Sequence, residues 1–81
     1  MYTDQMKRAF RSITAPKNFN VYIVDEEHFL TVLAKEKDFM SLSGEEKIEA
    51  VEYMIRVKKA LEDNGAIVLL VREGGKDVWG Y

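Results

Sequence analysis

The segment from Ser43 to Gly65 constrains the fold of this chain more than any other part of it. Ser43 is followed three residues later by Glu46, which is the pattern of a capping box at the start of a helix. Asn64 and Gly65 readily adopt the left-handed conformation at which helices commonly end. The residues between these two signals predict one helix of about 20 residues, about 30 Å long. In a chain of 81 residues, a helix of this length needs a large apolar surface to pack against.

Two further elements and a second helix are predicted before this long helix. Apolar residues recur at the spacing of one helical face between Thr3 and about Thr14, which predicts a first helix that ends before Pro16. β-Branched and aromatic residues predict a first strand over Phe19–Val24. Asp25 is a candidate N-cap for the second helix. The buried stripe of that helix would comprise Phe29, Leu30, Val32, Leu33 and Met40.

Two strands are predicted after the long helix. Ala66–Arg72 is nearly continuous in apolar residues, which is typical of a strand that is covered on both faces and central in its sheet. Two glycines within Glu73–Lys76 indicate a hairpin turn, and Asp77–Tyr81 would then return as an antiparallel strand. The predicted fold class is α+β, a single domain over residues 1–81 with three helices packed on a three-stranded mixed sheet. The predicted element order is α-β-α-α-β-β, and whether the first two strands are parallel is left open.

Composition limits the classes of function that the chain can have. The 12 basic and 14 acidic residues give a net charge of −2, and no cysteine is present. The lack of cysteine excludes disulfides, thiol catalysis and cysteine-ligated metals. The longest apolar run, Ala66–Val71, is far shorter than the roughly 20 residues of a transmembrane helix, and the N-terminus has no apolar stretch of signal-peptide length. We therefore expect a cytoplasmic protein with no membrane partner.

Patterns for catalysis and metal binding are weak throughout the chain. His28 is the only histidine, and it forms an i, i+3 pair with Asp25. A metal ion needs three or four converging ligands, so this pair alone does not predict a metal site. Gly74-Gly75-Lys76 lacks the Ser or Thr and the following helix that a phosphate-binding loop has. We expect no enzyme activity, no catalytic residue, no metal and no cofactor.

The long helix carries apolar residues over more of its circumference than packing on one sheet face requires. Either the first helix covers the second side, or Tyr53, Val57 and Ala60 form a subunit or partner interface at i, i+4 and i+7. Trp79 and Tyr81 share one face of the last predicted strand, where they either pack under a helix or contact a partner. These features predict a small non-enzymatic protein-interaction module, an adaptor or an inhibitor, that acts as a homodimer and binds another protein.

The alternative function is a nucleic-acid-binding regulator. Residues 1–24 carry a net charge of +3, and the remaining residues carry −5. A basic face on the first helix would contact phosphates, with an affinity that falls steeply as the salt concentration rises. The residues of this face are Lys7, Arg8, Arg11 and Lys17. Such charges are also common on solvated surfaces, so both interpretations stay open at this point.

Overall fold

Three helices and three strands form the fold of residues 2–74, the part of the chain that the computed structural model describes. The helices are α1 (Asp4–Arg11), α2 (Glu36–Met40) and α3 (Gly44–Asp63), and the strands are β1 (Tyr22–Asp25), β2 (Leu30–Lys35) and β3 (Val68–Glu73). The strands form one mixed sheet in the order β1-β2-β3, in which β1 is antiparallel and β3 parallel to β2. The predicted fold class, a single α+β domain with three helices and a three-stranded mixed sheet, is confirmed.

The long helix α3 begins and ends where the sequence predicts. The Ser43 hydroxyl accepts a hydrogen bond from the backbone N–H of Glu46 at 3.2 Å, and the Ser43 N–H donates to Oε1 of Glu46 at 2.9 Å. These two bonds complete the capping box. At the other end, Asn64 is the C-cap, and Gly65 has a φ of 95°, which glycine adopts without the steric cost of a Cβ.

The core lies between α3 and the face of the sheet that we call the inner face. In β2, the side chains of Leu30, Val32 and Ala34 point to this face and are 0% exposed. The register places Leu30 beside Val68 and Val32 beside Leu70, so both strands supply alternate residues to one apolar layer. The buried side chains that α3 supplies are Ala50, Tyr53, Met54, Val57 and Leu61.

Helix α1 packs beside α3 and closes one side of the core. Met6 is 2% exposed, and Phe10 and Ile13 are partly buried against the same core, as their helical spacing predicts. The backbone N–H of Tyr2 donates to Oδ2 of Asp25 at 3.2 Å, which holds the start of α1 at the end of β1. Helix α1 therefore lies on the side of α3 that is nearer to β1.

The predicted second helix is wrong in most of its length, because Leu30–Lys35 forms the strand β2. The N–H of Glu26 donates to the carbonyl of Phe29 at 3.0 Å and closes a β1–β2 hairpin where the first turn of the helix was expected. Only Glu36–Met40 is helical. Apolar residues fill four of the six positions of β2, and such a short run is compatible with a buried strand as well as with a helix. The element order within residues 2–74 is therefore α-β-β-α-α-β.

The predicted order of the strands is corrected as well. Strand β2 is central in the described sheet, and β3, which was expected there, pairs with β2 alone. The predicted strand Phe19–Val24 is observed as Tyr22–Asp25, after a turn in which Asn18 has a φ of 65°. The predicted strand Asp77–Tyr81 lies outside the described residues.

Truncation of Leu30 is expected to destabilise the fold far more than truncation of Leu33, although both leucines belong to β2. Leu30 is 0% exposed in the core, where Leu→Ala leaves a cavity and lowers the free energy of unfolding by about 2–5 kcal/mol. Leu33 lies on the opposite face and is partly exposed, so its truncation leaves no closed cavity. Urea unfolding of Leu30→Ala and Leu33→Ala measures the difference, and equal losses would contradict the assignment of the two faces.

The capping box is expected to give the stability a dependence on acid pH. Hydrogen bonds with Ser43, first of all that from its backbone N–H, hold the pKa of Glu46 below the ordinary value of 4.5. Because the folded pKa is lower than the unfolded one, this stabilisation is present above pH 4.5 and is lost as the pH falls through the folded pKa. Thermal unfolding at a series of acid pH values should show a smaller acid-induced loss in Glu46→Gln than in Glu45→Gln, whose substitution leaves the capping box intact. Identical pH profiles for the two variants would contradict this prediction.

Candidate functional site

Two apolar surfaces are exposed on the described residues, one on each layer of the fold. The first is the side of the sheet opposite to the inner face, which we call the outer face. It consists of the exposed residues Tyr22, Val24 and Ile67, the partly exposed residues Leu33, Leu69 and Val71, and Thr31, which is 8% exposed. The second, which we call the α3 flank, consists of Ile48, Val51 and Ile55 with Phe39 and Met40 of α2. Exposed apolar patches that span several residues mark interaction sites more often than isolated apolar side chains do.

The outer face is continuous across the three described strands. The register places Tyr22 opposite Leu33 and Leu33 beside Val71, so that these three side chains form one row across the sheet. The next row consists of Val24, Thr31 and Leu69. Ile67 directly precedes β3 and belongs to the same face. It is 67% exposed, and Tyr22 is 48% exposed. None of the helices α1, α2 and α3 covers these rows, because all three pack around the core on the inner side.

Charged side chains lie at the two ends of the outer face. At one end, Nζ of Lys35 lies 5.5 Å from the centroid of the Tyr22 ring, and Lys35 is in register with Glu73 of β3. At the other end, Glu26 and Glu27 lie in the exposed turn between β1 and β2. The face is therefore apolar in its centre, with Lys35 and Glu73 at one end and two carboxylates at the other.

The α3 flank contains a groove of about 270 Å³ between α2 and α3. It is lined by Phe39, Lys47, Ile48, Val51 and Glu52. Ile48 is 63% exposed, and Ile55, two turns further along α3, is 49% exposed. Phe39 meets the ring of Phe19 edge to face at a centroid distance of 6.3 Å, so one wall of this groove is continuous with the core.

The α3 residues that the sequence predicts as an interface are not part of the α3 flank. They lie mainly in the core, which corrects the prediction. Tyr53 is 4% exposed and Val57 is 0% exposed, and Ala60 is partly buried. The Tyr53 ring packs edge to face on Phe19 at 6.5 Å, and burial raises the pKa of the Tyr53 hydroxyl. Helix α1 and the loop of residues 14–16 cover this side of α3. Contacts within the chain therefore explain the apolar residues on this side of the helix. Trp79 and Tyr81, the other predicted interface residues, lie outside the described residues.

The structure places three of the four predicted basic residues together on α1. These three are Lys7, Arg8 and Arg11. Arg8 and Arg11 occupy the last turn, where cations stabilise the helix dipole, and Nζ of Lys7 lies 5.6 Å from the centroid of the Tyr2 ring. Lys17 instead faces the start of α3, where it adds to the Ser43 hydrogen bonds in lowering the pKa of Glu46. Nucleic-acid contact through these residues stays a prediction.

His28, the only histidine of the chain, lies in the exposed hairpin between β1 and β2. Nε2 of His28 lies 3.9 Å from Oε1 of Glu27, and both side chains are more than four-fifths exposed in the hairpin. Within the same residues, no group of three His, Asp or Glu side chains could hold a metal ion. A second cavity, of about 240 Å³, brings Glu49, Glu52 and Arg56 together beside Tyr53. Its charged groups mix both signs, and they include no histidine that could act as a base.

Residues 2–74 also contain no helix with the length and apolar character needed to cross a membrane. The outer face was missed at the level of sequence because residues 30–35 were interpreted as a helix. Side chains alternate between the two faces along a strand, so Leu33, Leu69 and Val71 point away from the core although they are apolar. This feature identifies the outer face.

These two surfaces have to be interpreted from physical arguments. No protein-family model matches the chain, and neither a curated protein nor a solved structure matches it. The size, position and charge of each surface are therefore the observations from which its occupant can be inferred.

The substitution Val57→Glu is expected to unfold the protein, since Val57 belongs to the core and not to an interface. A carboxylate at this position would be buried without a partner, which costs several kcal/mol. Lys59→Glu reverses an exposed charge on the same helix and is the matched control. Circular dichroism during urea unfolding measures both variants, and a Val57→Glu protein with the wild-type midpoint would contradict the burial of this residue.

Proposed function

We propose that this chain is a small non-enzymatic protein-interaction module that associates with a second copy of itself through the outer face. The observation that carries the proposal is the continuous apolar outer face, which none of the described helices covers. An apolar patch of a few hundred Å² is typically the largest that a monomeric protein exposes, and such a patch is often functional. Association removes such a surface from water, which is the main favourable contribution to most protein–protein contacts.

A second copy suits this surface because its shape and charges are compatible with a two-fold axis. Two sheets pack face to face about 10 Å apart with their strands nearly aligned. A two-fold axis in the interface and perpendicular to the strands brings the Lys35 end of one copy against the hairpin end of the other. Lys35 of each copy would then approach the carboxylates of Glu26 and Glu27 in the other copy. Such complementary contacts favour this orientation over one that places equal ends together.

The size of the outer face predicts a weak association. Three strands about 4.8 Å apart, with six residues that rise about 3.3 Å each, cover roughly 300 Å². A stable interface of standard size buries about 800 Å² on each partner. The dimer should therefore form and dissociate with concentration. This behaviour suits an adaptor or an inhibitor, because another protein with an apolar surface can displace the second copy.

The remaining expectations about function are part of the same proposal. A contact surface of this kind needs no enzyme activity and no cofactor, and the cytoplasm stays the predicted location. The alternative of a nucleic-acid-binding regulator is supported by the cluster of Lys7, Arg8 and Arg11 on α1, with Lys17 separate from it. It predicts binding that weakens steeply with salt, and the experiment below includes it as an outcome.

The test compares two isoleucines of similar exposure on different surfaces. Ile67 on the outer face is 67% exposed and Ile48 on the α3 flank is 63% exposed, so Ile67→Glu and Ile48→Glu both leave the core intact. Light scattering after size-exclusion chromatography, from micromolar to millimolar concentration, measures the mass. We expect the wild type and Ile48→Glu to approach the dimer mass as the concentration rises, whereas Ile67→Glu stays monomeric.

Two other outcomes would contradict the proposed dimer, and a third would support the alternative function. A wild type that is monomeric at every concentration rules out the second copy as the occupant of the outer face. Dissociation by Ile48→Glu but not by Ile67→Glu would move the interface to the α3 flank. Co-eluting nucleic acid that is lost in high salt and in the double variant Arg8→Glu, Arg11→Glu would support the alternative function.

A further inference from the structure

The cavity of about 240 Å³ lies between the loop that follows α1 and the first half of α3. One wall is the loop of residues 14–16, and the other wall is formed by side chains of α3. The α3 residues are Glu49, Glu52, Tyr53 and Arg56. They are spaced at i, i+3, i+4 and i+7, which places them along one face of the helix. Cavities for drug-sized ligands measure roughly 300–1,000 Å³, so this one suits a smaller molecule.

The core holds the two walls of the cavity in place. The pyrrolidine ring of Pro16 fixes its φ, and its carbonyl accepts a hydrogen bond from the backbone N–H of Phe19 at 3.4 Å. Phe19 is 1% exposed, and its ring meets the Tyr53 ring of the opposite wall edge to face. The loop and α3 are therefore joined through Phe19. A site that is already formed binds a ligand without first having to order its own residues.

Tyr53 is the buried residue of this lining, and its hydroxyl lacks a protein partner. The side chain is 4% exposed, and no hydrogen bond within residues 2–74 involves its hydroxyl. The hydroxyl oxygen is nevertheless not among the unpartnered atoms that these residues seal from solvent. Because Tyr53 borders the cavity, its hydroxyl can be reached from there. Burial raises the pKa of this hydroxyl above the ordinary value of 10.0, so at neutral pH it is protonated and can donate a hydrogen bond.

The charged side chains of the cavity are separated along the helix. In the described part of the chain, no ion pair joins Glu49, Glu52 or Arg56 to another side chain. A rise of about 1.5 Å per residue places the backbone of Arg56 about 6 Å beyond Glu52 and about 10 Å beyond Glu49 along the axis. One end of the cavity thus carries two carboxylates, and the other end carries a guanidinium group. This arrangement is complementary to a ligand with a cation at one end and an anion at the other.

We infer that the cavity binds a small ω-amino acid, with its ammonium group against Glu49 and Glu52 and its carboxylate against Arg56. A guanidinium group can donate two parallel hydrogen bonds to a carboxylate, and an ammonium group has three donors for the two glutamates. The methylene chain between the charged groups would lie against Tyr53 and Pro16. An α-amino acid carries both charged groups on one carbon, so it cannot reach both ends. The cavity is separate from the outer face, and this inference does not depend on the proposed function.

Nuclear magnetic resonance of the isotope-labelled full chain tests this inference, with ε-aminocaproate as the ligand. We expect saturable shifts of the amide signals of Thr14, Ala15 and residues 49–56. The affinity should lie in the millimolar range, because contacts between exposed charges contribute little individually. Caproate and hexylamine each lack one of the two charged groups and should bind several-fold more weakly. Glycine, which carries both groups on one carbon, should leave these signals unchanged.

Three variants test the roles of individual side chains. Arg56→Gln removes the cation that holds the carboxylate and should weaken binding of ε-aminocaproate by about tenfold. Tyr53→Phe removes the hydroxyl but keeps the ring in the core, and it should weaken binding several-fold. Lys37→Gln also removes one positive charge from an exposed residue, but Lys37 belongs to α2 and does not line the cavity. It is the matched control and should bind as the wild type does. Circular dichroism establishes that each variant is folded.

Three results would overturn the inference. The first is the absence of saturable shifts in the wild type through the millimolar range. The second is an equal response to glycine, which would show that the separation of the two charges is not recognised. The third is an affinity that is the same in Arg56→Gln as in Lys37→Gln. Failure of the dimer is measured separately, since Arg56→Gln leaves the outer face intact and should show the wild-type dependence of mass on concentration.

Discussion

The pairing of β2 with both neighbouring strands is the interaction on which the rest of this structure depends. Its inner side chains, Leu30, Val32 and Ala34, are 0% exposed, so β2 forms the centre of the apolar layer. Strand β1 reaches it through a tight hairpin, but a parallel neighbour such as β3 needs a crossover connection of a dozen or more residues. Helices α2 and α3 provide that crossover, and α3 has to return along the sheet to the start of β3. The position of α3 over the inner face thus follows from the parallel pairing of β2 and β3.

The same arrangement explains why no described helix lies on the outer face of the sheet. The crossover puts α2 and α3 on the inner side, and α1 packs beside α3 on that side as well. A sheet with one solvated face usually alternates apolar side chains inward with polar side chains outward. Here Leu33, Leu69 and Val71 point outward, which is the pattern of strands that are covered on both faces. The prediction of a strand covered on both sides was therefore physically reasonable for β3, although β2 is the central strand.

The sequence predicts those elements whose signals are local and misses those that depend on distant contacts. The capping box at Ser43 and the left-handed conformation at Gly65 each involve only a few neighbouring residues. The bounds of α3 could therefore be predicted from these two signals alone. Strand β2 carries an apolar residue, Leu33, on the outer face besides its three inner ones, and acidic residues 25–27 precede it, so the segment resembles a helix with an acidic first turn. The location of Tyr53 and Val57 depends on which flank of α3 is covered by α1. That contact joins distant parts of the chain, and no spacing within α3 determines it.

The two exposed surfaces differ in shape. The α3 flank is a narrow groove of about 270 Å³ between α2 and α3. The outer face is a broad surface of roughly 300 Å² that three strands share. One sheet face can pack against a second sheet face, with the strands of the two sheets nearly aligned. The proposed self-association therefore uses the outer face, because a second copy presents a surface of matching shape.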